Sequence, residues 1–279
     1  MAADLHCHTK ISDGSTAIDE LVLLAKNKGL DTISVTDHDT FAGAKRATIF
    51  GDKFGVKVIS GVEISAFDYK RKRKVHLLCY IPRTADRLAG MLRITNHNRK
   101  QAMTLSVQKV LRAYPIPYDM ILRRTAGSTG LYKQHVMQAL MDAGYTNEMF
   151  GDVFRKLFDP RFGLAKVSFE YPDVFEALRL VKESGGVSVL AHPAVYDSYD
   201  VMLELIEQGL DGIEVWYPRA KEDDEKRLSE VCNKFNLIKT GGTDFHGMNT
   251  NNVNPLGTCT TPDEEVKKII ALAKSRSND

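Results

Sequence analysis

Nothing in this chain marks it for export or for a membrane. Its four cysteines, Cys7, Cys79, Cys232 and Cys259, lie far apart and form no CxxC pair, so a reduced, cytoplasmic chain is the simplest reading. The opening Met1-Ala2-Ala3-Asp4 lacks the basic-then-apolar pattern of a signal peptide. No stretch approaches the ~18 apolar residues that cross a bilayer. Neither sign of charge dominates: 38 Lys and Arg against 36 Asp and Glu leave a net +2, so any anionic partner must be met by local basic patches. There is no internal repeat and no low-complexity tract beyond the basic run Lys70-Arg71-Lys72-Arg73-Lys74. No linker or tail is set aside for an obligate protein partner.

What is present is an ordinary globular composition with an unusual use of histidine. The 279 residues are 43% hydrophobic and 27% charged, which fits one large domain, or one domain carrying a smaller insertion. Six of the eight histidines sit beside acids or turn residues: His6 and His8 in Asp4-Leu5-His6-Cys7-His8, His38 in Asp37-His38-Asp39, His76 a hairpin after Glu63, His192 before Pro193, and His246 in Asp244-Phe245-His246. Imidazole and carboxylate are the usual ligands of zinc, manganese and iron.

The chain reads as three stretches. Residues 1–84 alternate short strands and helices: a strand at Ala2–Cys7, a helix capped by Ser15 or Thr16 with Asp19 completing a box and Gly29 ending it, a buried strand at Thr32–Thr36, a helix over Phe41–Phe54, and strands at Val56–Ile64 and Val75–Ile81 around the basic run. Residues 85–164 read as an all-helical insertion, with helices at Arg87–Ala113, Lys133–Ala143 and Asn147–Leu157. Residues 165–279 return to alternation, with helices at Pro172–Ser184, Val201–Gln208 and Asp263–Lys274 and strands at Val187–Leu190, Leu210–Trp216 and Leu237–Gly241. Repeated βα units imply parallel strands with helices outside. Nearly every suspect residue follows a strand, and in a (β/α) barrel the strand C-termini converge on the face that carries the chemistry.

Each element also has a plain reading. His6 and His8 point the same way from a strand and so reach one metal, although seen alone they are ordinary polar residues. Asp13-Gly14 is a common turn dipeptide. Asp37 and Asp39 either orient an imidazole or, for Asp39 with Thr40, cap the next helix. Glu63 is different, because it ends an otherwise apolar strand where an unpaired charge is costly. Asp244 likewise follows an apolar strand.

The set Asp4-Leu5-His6-Cys7-His8, Thr36-Asp37-His38-Asp39, Gly61-Val62-Glu63, His76, Ala191-His192-Pro193 and Gly242-Thr243-Asp244-Phe245-His246-Gly247 resembles the PHP (polymerase and histidinol phosphatase) metal-dependent phosphoesterases, in family order over nearly the whole chain. The resemblance is closest to the bacterial subgroup with a helical insertion before the His-Pro motif. It implies an α/β fold, a distorted (β/α)7 barrel with a small all-helical insertion, and up to three divalent metals (Mn, Zn or Fe). Carried over by motif, His6, His8, Glu63 and Asp244 hold the first, Glu63, His76 and His192 the second, and Asp13, His38 and His246 the third. The implied catalyst is a metal-bridging hydroxide held by Glu63, with Asp244, His192 and His246 around it. No protein nucleophile is expected: Ser12, Ser65 and Cys7 have no free histidine base in sequence context.

The same resemblance implies hydrolysis of a small nucleotide or sugar phosphate. A 5′-to-3′ exonuclease on short RNA is the enzymatic alternative, and a non-catalytic module binding nucleic acid or a polymerase partner is the alternative of another class. His97 and His135 fall outside the ligand set, in the insertion. Arg99, Lys133 and His135 are the expected substrate contacts, since matching positions in relatives grip phosphate or the leaving sugar, and a helix start near Lys133 itself favours an anion. Relatives acting on nucleotides often carry arginine where Lys133 stands, and lysine is a point charge without the fork, which leaves room for a sugar or cyclic phosphate. The run 70–74 reads as a solvated hairpin tip or, alternatively, a phosphate-gripping loop. Trp216 and Tyr217 either stack on a substrate ring or belong to the core.

Overall fold

A computed structural model describes residues 2–252 and 254–276. In chain order the elements are β1 (Ala2–Cys7), α1 (Ile18–Asn27), β2 (Thr32–Val35), α2 (Ala44–Phe54), β3 (Lys57–Asp68), β4 (Arg73–Tyr80), α3 (Asp86–Ala113), α4 (Tyr118–Arg124), α5 (Lys133–Asp142), α6 (Asp152–Phe158), α7 (Val174–Glu183), β5 (Val187–Leu190), α8 (Tyr199–Glu207), β6 (Gly212–Trp216), α9 (Glu222–Phe235), β7 (Ile238–Gly241), β8 (Thr261–Pro262) and α10 (Asp263–Ser275). The strands form one curved sheet in the order β7-β6-β5-β4-β3-β2-β1-β8. Short strands such as β2 (Thr-Ile-Ser-Val) and β5 (Val-Ser-Val-Leu) are buried throughout, as strands covered on both faces must be. The sheet nearly closes: an isolated parallel bridge joins Cys7 to Phe245, with Phe245 N–H donating to the His6 carbonyl at 3.1 Å and His8 N–H to the Phe245 carbonyl at 2.8 Å. This is the mixed α/β barrel of the expected class.

Three features depart from a uniform set of parallel βα units, one being β8, which pairs antiparallel with β1. β4 runs antiparallel to both β3 and β5. β3 is a twelve-residue strand that changes partner along its length, pairing with β2 through Ser60 and with β4 from Gly61 onward. Glu63 therefore sits mid-strand rather than at a strand end, at the level where β2 has stopped and His38 makes an isolated bridge to it.

Local corrections have local causes. Helix α1 starts later than Ser15 or Thr16: Ala17 is its cap, and Glu20, not Asp19, accepts the Ala17 N–H at 2.9 Å. Ser15 instead accepts the Met248 N–H at 2.7 Å, a partner 233 residues away that no local rule reveals. Helices α4 and α9 were not expected from the sequence, and α6 begins at Asp152 rather than near Asn147.

Between β4 and β5 the described residues form only helices and irregular segments. Met103, Val107 and Val110 of α3, Ile121 of α4, Val136 and Leu140 of α5, and Leu157 and Phe158 of α6 bury one apolar cluster. The barrel's own clusters pack α1 and α2, then α7, α8 and α9, then α10 against the strands.

Candidate metal centre and adjoining cavity

Eight side chains gather around one carboxylate, that of Glu63. Glu63 is 1% exposed. Its Oε1 lies 2.7 Å from His76 Nδ1 and 2.8 Å from His192 Nε2, while Oε2 lies 3.4 Å from His6 Nε2, 3.2 Å from His8 Nε2 and 3.2 Å from His38 Nδ1. Asp244 Oδ1 adds contacts of 3.6 Å to His6 and 3.3 Å to His8. Asp13 approaches His246 at 3.3 Å and both His8 and His38 at 3.8 Å.

The protein supplies no complete set of partners for these rings. His6 Nε2, both nitrogens of His8, His38 Nδ1 and His192 Nδ1 are buried without hydrogen-bond geometry to any described residue. Buried polar atoms left this way are costly, and imidazole nitrogens converging with carboxylate oxygens are the donor set for a divalent ion. Three overlapping groups have ligand atoms all within 4.8 Å of one another: His6, His8, Glu63 and Asp244; His8, Asp13, His38 and His246; and His38, Glu63 and His76. The residues present therefore fit bound metal. His192 stands outside those groups but shares Glu63 Oε1 with His76.

The electrostatics are those of a mutually dependent cluster. Burial pushes the Glu63 carboxyl up, but His76, His38 and His6 outweigh it and hold it well below the usual range. Burial holds His38 well below an ordinary imidazole, against the pull of Glu63 and Asp13. His192 (φ 27°) and Asp244 (φ 49°) adopt left-handed backbone, a conformation rare for such residues that persists only where the surroundings fix it.

The sequence reading missed the residue that orients two ligands from behind. Glu214, on β6 and fully buried, accepts from or shares a proton with His6 Nδ1 at 2.9 Å and accepts the His192 N–H at 2.8 Å. The signal was available: Gly212-Ile213-Glu214-Val215-Trp216 places an acid in an apolar strand, as around Glu63. Asp37 and Asp39, expected to orient an imidazole or cap α2, do neither. Asp37 accepts from Thr9 N–H (2.8 Å), Thr9 Oγ1 (2.7 Å) and Ser12 Oγ (2.6 Å), fixing the loop after β1. Asp39 accepts the Ser65 N–H at 2.8 Å and pairs with Arg99. With Ser12 bound to Asp37, Ser65 Oγ accepting from Arg99 at 2.9 Å, and burial raising the Cys7 thiol well above its ordinary value, none of the three is set up as a nucleophile.

A cavity of about 250 Å³ opens onto the cluster, lined by Asp13, His38, Glu63, His76, His192, Asp244 and His246, and also by Tyr196, Tyr217 and Arg219. Tyr217 is a core residue, 2% exposed, whose hydroxyl accepts the Ala194 N–H at 2.9 Å, and it also lines this cavity. A second cavity of about 590 Å³ abuts the first, sharing Gln134, Phe150 and Tyr196 as walls. Arg99, Lys133, Lys74 and Lys166 line it among aromatic rings. The Lys133 ammonium lies 5.7 Å from the Phe154 ring centroid and 5.3 Å from that of Phe158, and Lys74 lies 5.3 Å from that of Tyr171. Neither ammonium has an acidic partner among the described residues. Burial, then Lys74 and Lys166, holds Lys133 down to about 8.

The other candidate substrate contacts are placed differently. His135 is 2% exposed, lines neither cavity, and accepts the Tyr132 N–H at 3.3 Å; burial holds it down to about 4, so it is neutral near pH 7. His97 is exposed on the far side of α3. Within the basic run, Lys70 and Arg71 pair with Glu204 and Arg73 with Asp197 at the hairpin tip, while Lys74 lines the second cavity beside Tyr171.

Residues 4–159 match the model of the PHP domain. The chain belongs to the PHP family. It is 36% identical over 249 residues to a phosphoribosyl 1,2-cyclic phosphate 1,2-diphosphodiesterase of Eggerthella lenta, covering 88% of this chain and 95% of that one. A 3′,5′-nucleoside bisphosphate phosphatase of Chromobacterium violaceum is 25% identical over 248 residues, 87% of this chain and 86% of its own. A crystal structure from Bifidobacterium adolescentis, assigned as a metal-dependent phosphoesterase, superposes with a TM-score of 0.87 at 29% identity, covering 97% of this chain and 96% of that one. Among the described residues, no helix of this PHP protein is long and apolar enough to cross a membrane.

Proposed function

We propose that this metal-dependent phosphoesterase binds three divalent cations (Mn, Zn or Fe) and hydrolyses a small nucleotide or sugar phosphate that carries a second phosphoryl group. His6, His8, Glu63 and Asp244 would hold one ion, Glu63, His76 and His192 a second, and Asp13, His38 and His246 a third. Ions bound there supply Lewis acidity and a water whose pKa falls towards ~7. The protein's own part is positional. Glu63 ties five imidazoles to one point, Glu214 fixes two of their mounts, and Tyr196 and Tyr217 pack against His76 and His192. Helical residues 85–164 act as the substrate-recognition insertion.

The observation that carries the substrate reading is the pair of ammoniums of Lys74 and Lys133, without acidic partners among the described residues, lining a cavity that shares walls with the metal site. Two like charges lining one cavity repel, and an anion between them relieves both. Lys133 is also the first residue of α5, where the helix dipole favours the same ligand. Arg99 shares that cavity wall, and His135 accepts the N–H of Tyr132, the residue before Lys133. The names of the Eggerthella and Chromobacterium relatives, a cyclic ribosyl phosphate and a nucleoside bisphosphate, both describe substrates with more than one phosphate site.

The aromatic walls favour a second reading, a 5′-to-3′ exonuclease on short RNA, because rings such as Phe154 and Phe169 offer faces on which bases stack. A Haemophilus influenzae 5′-3′ exoribonuclease is 27% identical over 253 residues, 87% of this chain and 89% of its own. The four free thiols, three of them buried, fit a reducing cytoplasm, and no obligate protein partner is required.

Metal analysis of the purified protein, with a manganese-supplemented screen of nucleoside bisphosphates, cyclic sugar phosphates and labelled short RNA, tests this reading. Near three ions per chain and the highest kcat/KM on doubly phosphorylated small substrates are expected. Fewer than one ion per chain with no hydrolysis overturns the metal assignment. Indifference to a second phosphate overturns the subsite, and laddering on RNA selects the exonuclease.

A further inference from the structure

Asp39 directly follows the ligand His38 and has φ 54°, a left-handed backbone that an aspartate holds only when its neighbours over-determine it. Every polar group of Asp39 is engaged. Its N–H donates to the Glu63 carbonyl at 2.9 Å. Its carbonyl accepts from Asn96 Nδ2 at 2.8 Å, and its Oδ1 accepts the Ser65 N–H at 2.8 Å. Its Oδ2 pairs with Arg99 Nη2. Asn96 and Arg99 both belong to α3, so the insertion grips the turn that presents His38.

Arg99 has little left to offer a substrate. Nη2 serves Asp39 and the Ser65 hydroxyl (2.9 Å), and Nη1 serves Asn96 Oδ1 (2.9 Å) and the Tyr132 hydroxyl (3.5 Å). The fork that would take a phosphate bidentately is filled. The guanidinium lies between the rings of Tyr132 (5.1 Å) and Phe169 (5.6 Å), and the residue is 7% exposed. The Tyr132 hydroxyl in turn donates to the His38 carbonyl at 3.3 Å. Arg99 thus reaches three points around the ligands: the residue after His38, the hydroxyl bound to His38 itself, and Ser65, two residues beyond Glu63.

We propose that Arg99, with Asn96, is a positioning residue of the metal centre that locks the His38–Asp39 turn against β3, rather than a phosphate-binding residue. This rests on the metal assignment proposed above. Arg99→Ala, Arg99→Lys and Asn96→Ala should be compared with Lys133→Met by metal stoichiometry, metal affinity from chelator competition, and the separate kcat and KM for a doubly phosphorylated substrate. Arg99→Ala is expected to weaken one bound metal by about 10- to 100-fold, as loss of an orienting partner does, and to lower kcat with KM changed less than about threefold. Lys133→Met is expected to do the reverse. Arg99→Lys keeps a charge for Asp39 but not the fork, so it should fall between Arg99→Ala and wild type. Asn96→Ala leaves the Asp39–Arg99 pair intact, and should weaken the same metal more mildly even where Arg99→Ala does not fold. Unchanged metal affinity in the folded variants, with KM raised, overturns the positioning role while leaving the metal reading standing. Wild-type protein that binds no metal overturns both.

Discussion

The two adjoining cavities have opposite electrostatic character. On one side, carboxylates and buried imidazoles leave nitrogens without protein partners and call for cations. On the other, the half-buried Lys133 and the more exposed Lys74 lie among aromatic rings without acidic partners among the described residues and call for an anion. The imidazole side is costly by itself, because buried polar atoms without partners lose hydration and recover nothing, and on the lysine side two like charges repel. Their adjacency is what makes the pair informative: a molecule with phosphoryl groups at both ends resolves the two deficits together.

The comparison is broken most completely at Glu63. Glu63→Gln removes the charge against which five imidazoles are gathered, and activity is expected to fall on the order of a thousandfold, with metal content falling alongside by elemental analysis. Retained metal and activity would show that the cation side does not depend on this carboxylate. Glu214→Gln acts one step removed, through His6 and the backbone of His192. It should cost about 10- to 100-fold in metal affinity, with substrate KM little changed once metal is saturating.

On the anion side, Lys133→Met should raise KM for a doubly phosphorylated substrate about 10- to 100-fold, the value of a lost charge-assisted hydrogen bond, and leave a singly phosphorylated one unaffected. The pH dependence sharpens the contrast. Lys133 titrates at about 8 in the fold, against 10.5 for an unperturbed lysine, so its charge is lost as pH rises through about 8. KM for the doubly phosphorylated substrate should climb above that pH relative to the singly phosphorylated one, measured in parallel to cancel effects at the metals. The sign for stability is opposite: between about 8 and 10.5 the unfolded chain binds the extra proton, so stability from this group increases with pH. The smallest effect belongs to the exposed tip: Lys70→Ala should change stability by less than about 1 kcal/mol and leave KM and its salt dependence unchanged. A large salt-dependent loss of RNA binding would instead revive the phosphate-gripping loop.

Much of the centre was legible in the sequence because its ligands follow a positional rule. His8, His38, His192 and Asp244 stand just after β1, β2, β5 and β7, where parallel strands converge. His76 obeys a different rule. It is the fourth residue of β4, which runs backwards, so the start of that strand lies where the others end. Glu63 is mid-strand because β3 outlasts its partner β2. Glu214 carried the same signal as Glu63, an acid in an apolar strand, and went unread because no histidine stood nearby in sequence. The Asp39–Arg99 contact was out of reach, since the spacing of 60 residues encodes nothing local. Lys74 was hidden in a run whose Lys70, Arg71 and Arg73 form ion pairs at the hairpin tip, and only the folded hairpin shows which lysine lines the cavity.

The grip of α3 on the turn after His38 bears on how such a protein can be recombined. An insertion that touched only substrate could be exchanged between homologues to alter specificity, with the barrel as an indifferent chassis. Here the transplanted piece would carry away Asn96 and Arg99, and the barrel would receive a turn whose left-handed aspartate had lost half its restraints. Chimeras that keep this pair, together with Tyr132, should inherit a working barrel, and those that omit it should need compensating changes at Asp39 before any new specificity could be seen.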